Sequence, residues 1–222
     1  MKFSIGDFIQ LSIFLVSLSV FAQKPVPLYL RLFPLYFFLL FIEDLIIEYT
    51  SALGIHNNII PNTSGIAEFS FYFFVIRSVI VNMKVKKRIL FTTFTFVVFA
   101  VINLFFIQHN DLFNPINFTI GTVITVVLCI YYFFELFQKT EAQSLTRLPS
   151  FWIVSGILFN AVLIFPIFAL ISFMDSLSKA NLKTSKIVLD HIEAIFNIIS
   201  VLTYILYSIG FICRIRTNKS IL

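Results

Sequence analysis

Seven apolar runs of 18 to 27 residues follow one another along the chain, at about 3–22, 28–49, 66–83, 89–107, 116–137, 149–173 and 187–213. Each is long enough to cross roughly 30 Å of bilayer hydrocarbon, for which a helix needs about 20 residues. Inside lipid every backbone N–H and C=O must be satisfied, and a helix does so within a single segment. The pattern therefore predicts an all-α polytopic bundle of seven transmembrane helices, forming a single domain over residues 1–222. Seven spans use about 140 residues, so only short connections remain in a chain of 222. Chemistry is then confined to the space among the helices, the short loops, or a partner chain.

Basic residues set the expected orientation. One set of alternate loops collects Lys24, Arg31, Lys84, Lys86, Lys87, Arg88, Lys139, Arg147, Arg214, Arg216 and Lys219. The other set collects only Lys2, Lys179, Lys183 and Lys186, and Arg77 falls within a run. Lys and Arg accumulate on the cytoplasmic side of membrane proteins, so the amino terminus is expected outside and the carboxyl terminus in the cytoplasm. The loop with three lysines fits this arrangement least well. Run one ends in Val20, Phe21, Ala22 and Gln23, which also has the form of a signal peptide with a small-residue cleavage site. Cleavage there would put the Lys84–Arg88 cluster outside, against the same tendency, so run one is read as helix one.

The net charge of +5 lies mainly in clusters that flank apolar runs. It marks topology rather than a nucleic-acid face, and no nucleic-acid partner is expected. The lipid bilayer is, with the inner (cytoplasmic) membrane of a bacterium as the location. Cys129 and Cys213 both fall inside runs, so a disulfide framework is not expected.

The last run carries a polar line. Asp190, Glu193, Asn197, Ser200, Tyr204 and Tyr207 are spaced three or four apart, which puts them on one helix face. A helix in lipid turns such a face inward, so the line reads as the wall of an internal polar pocket. Glu43, Asp44, Glu48, Glu68, Asp190 and Glu193 all fall in the external half of the expected topology, with Asn103, Asn117 and Asn197 at similar depth. An ionisable group within hydrocarbon costs a few kcal/mol unless it finds partners. The residues expected to bind a ligand are therefore Glu43, Glu68, Asn103, Asn160, Glu193, Asn197 and Tyr204, and the ligand is expected to be small or cationic. Glu48 and Asp190 are placed in the solvated headgroup zone.

Other polar positions have plainer readings. Asn160 is near the midplane, where an amide bonds to a neighbouring helix or meets a ligand. Arg77 and Glu135 approach the cytoplasmic ends of runs three and five, where they can pair, although Arg77 can also snorkel to the interface. Trp152 reads as an interfacial anchor. Gly121, Thr125 and Cys129 recur at four-residue steps, a small-residue groove for a close helix contact. Pro166 lies inside run six, where a kink is expected.

Several function classes are argued against. His56, His109 and His191 all map to the external side and raise zinc as an alternative. No second His follows at i+3 or i+4, so the helical two-ligand motif is missing. The seven-helix zinc hydrolases of the alkaline ceramidase and adiponectin receptor type pair histidines on their last helix, and this chain departs from that pattern. No metal or cofactor is expected. The middle of run seven is Ile198, Ile199, Ser200 and Val201, with no Lys for a retinal Schiff base. Phosphate loops, dinucleotide turns, nucleophile elbows, Arg-rich voltage sensors and carbonyl-lined filters are absent from the sequence.

At Tyr131, Tyr132, Phe133, Phe134, Glu135 and Leu136, and again at Leu148–Ile153 and Gly156, the chain resembles a group of uncharacterised small bacterial seven-helix inner-membrane proteins. It is distantly similar to the seven-helix membrane sensor regions that precede histidine kinase modules. The resemblance implies a sensor or receptor-like membrane half that signals through a separate cytoplasmic partner, since the sequence ends nine residues past Cys213. It carries over no functional residues. The leading expectation is thus a non-enzymatic sensor with an outward-facing pocket. A proton- or cation-coupled transporter and a metal-dependent lipid-modifying enzyme are the alternatives.

Overall fold

All seven apolar runs are helical in the computed structural model, which describes residues 5–22, 25–55, 58–107, 114–139, 145–177 and 182–219. Side chains at 5, 7, 139, 169–177, 182–193 and 214–219 are outside that description. The helices are α1 (Ile5–Leu18, continued by a 3-10 turn Ser19–Ala22), α2 (Leu28–Ala52), α3 (Ile59–Val79), α4 (Met83–Ile102, continued by a π turn Asn103–Ile107), α5 (Pro115–Lys139), α6 (Pro149–Leu177) and α7 (Leu182–Lys219). Among the described residues, five are long and apolar enough to cross a membrane: α3, α4, α5, α6 and α7. α1 is shorter, and α2 carries Arg31, Glu43, Asp44 and Glu48 along 25 residues.

α3 and α4 begin earlier than the hydropathy suggests. The stretch with Pro61, Asn62 and Gly65, ahead of run three, forms the opening turns of α3. Pro61 lies in the first turn, where its missing N–H is no loss, and Gly65 and Asn62 are buried against α5 and its lead-in residue Asn114. The basic cluster Lys84–Arg88 likewise belongs to α4 and not to a loop. Its start is fixed by Asn82, whose Oδ1 accepts the Lys84 N–H at 3.0 Å, a standard cap for an orphan helix donor. α6 runs through Pro166 as one helix.

Six helices close a ring in the order α1, α2, α3, α5, α6, α7, with α7 returning to α1, while α4 packs outside the ring on α3. α3 also reaches α6 across the ring. The interior is aromatic: Phe33 and Phe37 of α2 meet Tyr207 of α7 with ring centroids 5.5 and 6.0 Å apart, and Phe33 meets Phe211 at 5.5 Å. In lipid such contacts stabilise by dispersion and shape fit, since burial from water no longer drives association. Close approach follows from small residues. A Cβ at Gly121 would stand 2.5 Å from the Phe69 ring, and one at Gly156 would stand 2.7 Å from the Tyr207 ring. The Gly121, Thr125, Cys129 groove is thus filled by α3 on one side and by α6, whose Val154 carbonyl accepts from Cys129 Sγ, on the other. Neither Cys129 nor Cys213 is in a disulfide among the described residues.

The outer surface is greasy. α4 exposes Phe91, Phe94, Phe105 and Phe106, the last at 76%. In water a surface of this kind is an aggregation hazard, whereas against acyl chains it carries no penalty.

Candidate functional site

Tyr36 and Glu43 are seven residues apart on α2, two turns, and so share a face; Ser64, Glu68 and Tyr72 share one on α3 by steps of four. The two faces meet. Tyr36 Oη donates to Glu68 Oε1 at 2.9 Å, Tyr72 Oη donates to the same oxygen, and the two hydroxyls are 3.1 Å apart. Nearer the end of the bundle where α2 finishes and α3 begins, Ser64 Oγ donates to Glu43 Oε1, and Gln10 of α1 donates through Nε2 to Asp44 Oδ2. Toward the centre, Asn160 of α6 donates through Nδ2 to Tyr72 Oη at 3.4 Å. Four helices therefore contribute to one polar seam running from the end of the bundle to its middle.

α7 closes the inner end of the seam. The Tyr204 ring lies 5.7 Å from Phe37 and 6.4 Å from Tyr207. Tyr207 is 1% exposed, and its hydroxyl lies toward Tyr72 without completing a hydrogen bond of normal geometry. A buried hydroxyl that makes no bond is costly, so this is where the seam retains unused hydrogen-bonding capacity.

Beside the seam, α2 and α3 enclose a groove of about 580 Å³ open along one side. Its polar lining is Tyr36, Glu43, Thr63, Ser64 and Glu68; the rest is apolar, including Leu35, Leu39 and Ala67. Both hydrogen bonds to Glu68 fall on Oε1, and the one to Glu43 also falls on a single oxygen. A carboxylate has about four acceptor positions, so these bonds leave capacity on each, and both residues line the groove. Among the described residues, no Lys, Arg or His is among the groups that act on either carboxylate.

The sequence-predicted residues divide between places. Glu43, Glu68 and Asn160 join the seam and Tyr204 borders it. Asn197 is half-buried on α7. Glu193 is on the same helix, and its side chain, with those of Asp190 and His191, lies outside the described residues, as do His56 and His109. Asn103 is elsewhere, in a buried knot of four asparagines that ties α3, α4 and α5. Its Nδ2 donates to Asn114 Oδ1 at 3.0 Å and to Asn117 Oδ1 at 2.9 Å; Asn62 Oδ1 accepts the Asn114 N–H at 3.0 Å, and Asn117 Nδ2 donates to the Ala100 carbonyl at 3.0 Å. The Ala100 carbonyl also accepts the Asn103 N–H where α4 gives way to the π turn, so it takes two donors. These amides bond one another and hold helices, while Asn114 Nδ2 is buried without a hydrogen-bond partner among the described residues.

Glu135 and Arg77 meet at one turn by separate contacts. The Glu135 carboxylate accepts the N–H groups of Val81 and Asn82 at 2.8 and 2.9 Å, and Arg77 Nε donates to the Lys86 carbonyl at 3.2 Å. The negative charge at the start of α4 is favourable to the helix dipole and offsets the basic residues in its first turns.

Sequence reasoning missed Tyr36, Tyr72, Ser64 and Gln10. Tyr72 was within reach, since it follows Glu68 by four on an apolar helix, where a hydroxyl one turn from a carboxylate is a natural donor. Gln10 and Ser64 are contacts between helices that no spacing within one helix announces. Among the described residues no three His, Cys, Asp or Glu side chains converge as a metal-ligand set. No family model, curated protein or solved structure matches the chain.

Proposed function

We propose that the chain is a receptor-like membrane module whose α2–α3 groove binds a small positively charged ligand. The observation that carries this reading is that Glu43 and Glu68, from two helices, line one largely apolar groove with spare acceptor capacity and, among the described residues, no cationic side chain acting on them. Charge placed in a low-dielectric wall attracts its complement far more strongly than in water.

The reading includes seven spans, an external amino terminus and the inner membrane of a bacterium. It is supported by the pairing of α2's acidic residues, Glu43 with Ser64 and Asp44 with Gln10, which lets a charged helix lie among apolar ones at reduced cost. Lys84, Lys87 and Arg88 are exposed at the start of α4 and face the cytoplasm in this topology, where they offer a basic surface to a protein partner.

The test uses purified protein in lipid nanodiscs and tritiated phenyltrimethylammonium, whose charge is permanent. Saturable binding is expected, weakened at least about tenfold by Glu68→Gln. Equal binding in that variant, or none in either, rejects the reading. The seam of Glu43, Glu68, the two tyrosines and Asn160 also favours a second reading, a cation- or proton-coupled carrier. Uptake of the same probe into proteoliposomes, lost in Glu68→Gln, would establish transport instead of binding alone.

A further inference from the structure

The shape of the groove says more than its charge. Its α2 wall runs from Leu32 to Ile46, roughly 21 Å at 1.5 Å per residue, so it is a slot parallel to the helix axes and not a rounded cup. Leu35 and Leu39, which line it, are 54% and 57% exposed, so its open side faces the same surroundings as the lipid-facing phenylalanines of α4. The carboxylates stand about one turn in from each end of the α2 wall. Glu43 is one turn from Ile46, and Glu68 is bonded to Tyr36, one turn from Leu32. Beyond Tyr36 the walls are apolar: Leu32, Leu35 and Phe71. Tyr36 and Phe71 stack with centroids 4.4 Å apart, and both border the groove where the charge is.

We infer that the ligand is an amphiphile with a positively charged ammonium head and an alkyl tail, and that it reaches the groove sideways from the bilayer. Its head lies between Glu43 and Glu68 against the aromatic faces of Tyr36 and Phe71, which favour ammonium ions. Its tail lies along Leu35 and Leu32 and on past the end of the slot, parallel to the acyl chains it came from. The volume suits this: about 580 Å³ falls within the ~300–1,000 Å³ of small-molecule sites. A purely aqueous cation would leave the apolar part of the slot unused. An anionic amphiphile would meet two carboxylates of its own sign. This inference rests on the reading of Glu43 and Glu68 as a cation site and adds the chemical class and the route.

The experiment replaces Leu35 by Trp in a Trp152→Phe background and measures quenching of that fluorophore by ω-bromododecyl-trimethylammonium added to the bilayer. Phe94→Trp in the same background, on the lipid face of α4, reports ordinary mixing. Trp at position 35 is expected to be quenched at a bilayer content about tenfold lower than Trp at 94. ω-Bromododecyl sulfate should quench the two alike, and adding Glu43→Gln with Glu68→Gln should abolish the preference. A second measurement uses the unmodified protein, in which dodecyltrimethylammonium should displace tritiated phenyltrimethylammonium while dodecyl sulfate does not. Equal quenching at 35 and 94, with phenyltrimethylammonium still bound, overturns the lateral amphiphile and leaves the cation site standing. Absence of phenyltrimethylammonium binding removes both.

Discussion

Tyr36 on α2 and Glu68 on α3 are joined by a 2.9 Å hydrogen bond from Oη to Oε1, and Tyr72 donates to that same oxygen. Two hydroxyls on one carboxylate oxygen make the two helices interdependent at this depth. The pair should show a coupling of about 0.6–1.7 kcal/mol, the range measured for hydrogen bonds between membrane helices, in a double-mutant cycle of Tyr36→Phe and Glu68→Gln followed by unfolding in detergent or bicelles. Glu68→Leu should be worse than Glu68→Gln, because it leaves two buried hydroxyls without their acceptor, at about 1–3 kcal/mol. Additive single variants would mean that the contact contributes nothing to the packing of α2 on α3.

Glu135 caps a turn from another helix. Glu135→Ala should lose two charge-assisted bonds, worth about 1.5–3 kcal/mol each when the acceptor is ionised, and should expose the start of α4. Amide exchange at Val81 and Asn82 is the direct measurement, and faster exchange confined to that turn is expected. Glu135→Gln, which keeps one acceptor oxygen, should fall between the two.

Gly156 seats Tyr207. A Cβ there would come within 2.7 Å of the ring, so Gly156→Ala should destabilise by roughly 1–3 kcal/mol through overpacking. Tyr207→Leu should relieve much of that loss in the double variant, since it removes the ring atoms in conflict. Thermal unfolding of the four proteins in one detergent decides it.

The asparagine knot predicts a separation of stability from binding. Asn103→Ala removes the donor to Asn114 and Asn117 and should cost about 1–3 kcal/mol. Phenyltrimethylammonium affinity should stay within about twofold, because the knot's hydrogen bonds among the described residues run to Ala100 and to one another. A folded Asn103→Ala protein that no longer binds would place Asn103 in the site.

The proposed topology also has a direct check. In a variant without Cys129 and Cys213, Ser51→Cys should react with an impermeant maleimide from outside intact cells, and Lys87→Cys only after permeabilisation. The reverse labelling would invert the orientation.

Legibility differed from residue to residue. The run at 187–213 announced a polar face, and of its members Tyr204 and Tyr207 stand at the inner end of the seam. Glu43 and Glu68 were marked for pairing by their cost in hydrocarbon, yet their partners Ser64, Tyr36 and Tyr72 were not. Asn103 was grouped with the carboxylates because depth alone was used. Rotation about the helix axis sends it instead to Asn114 and Asn117.

The class of the molecule was determined by the sequence alone, because length and apolarity of a run are one-dimensional properties and the bilayer's thickness converts them into helices. What closes those helices into a ring depends on rotation about each axis and on sliding along it. A turn of 100° moves a side chain from lipid to interior without changing any hydropathy value. Only the tertiary arrangement, set by which glycines admit which rings, decided that Glu68 meets Tyr36 and Tyr72, and that α2 and α3 leave a slot between them.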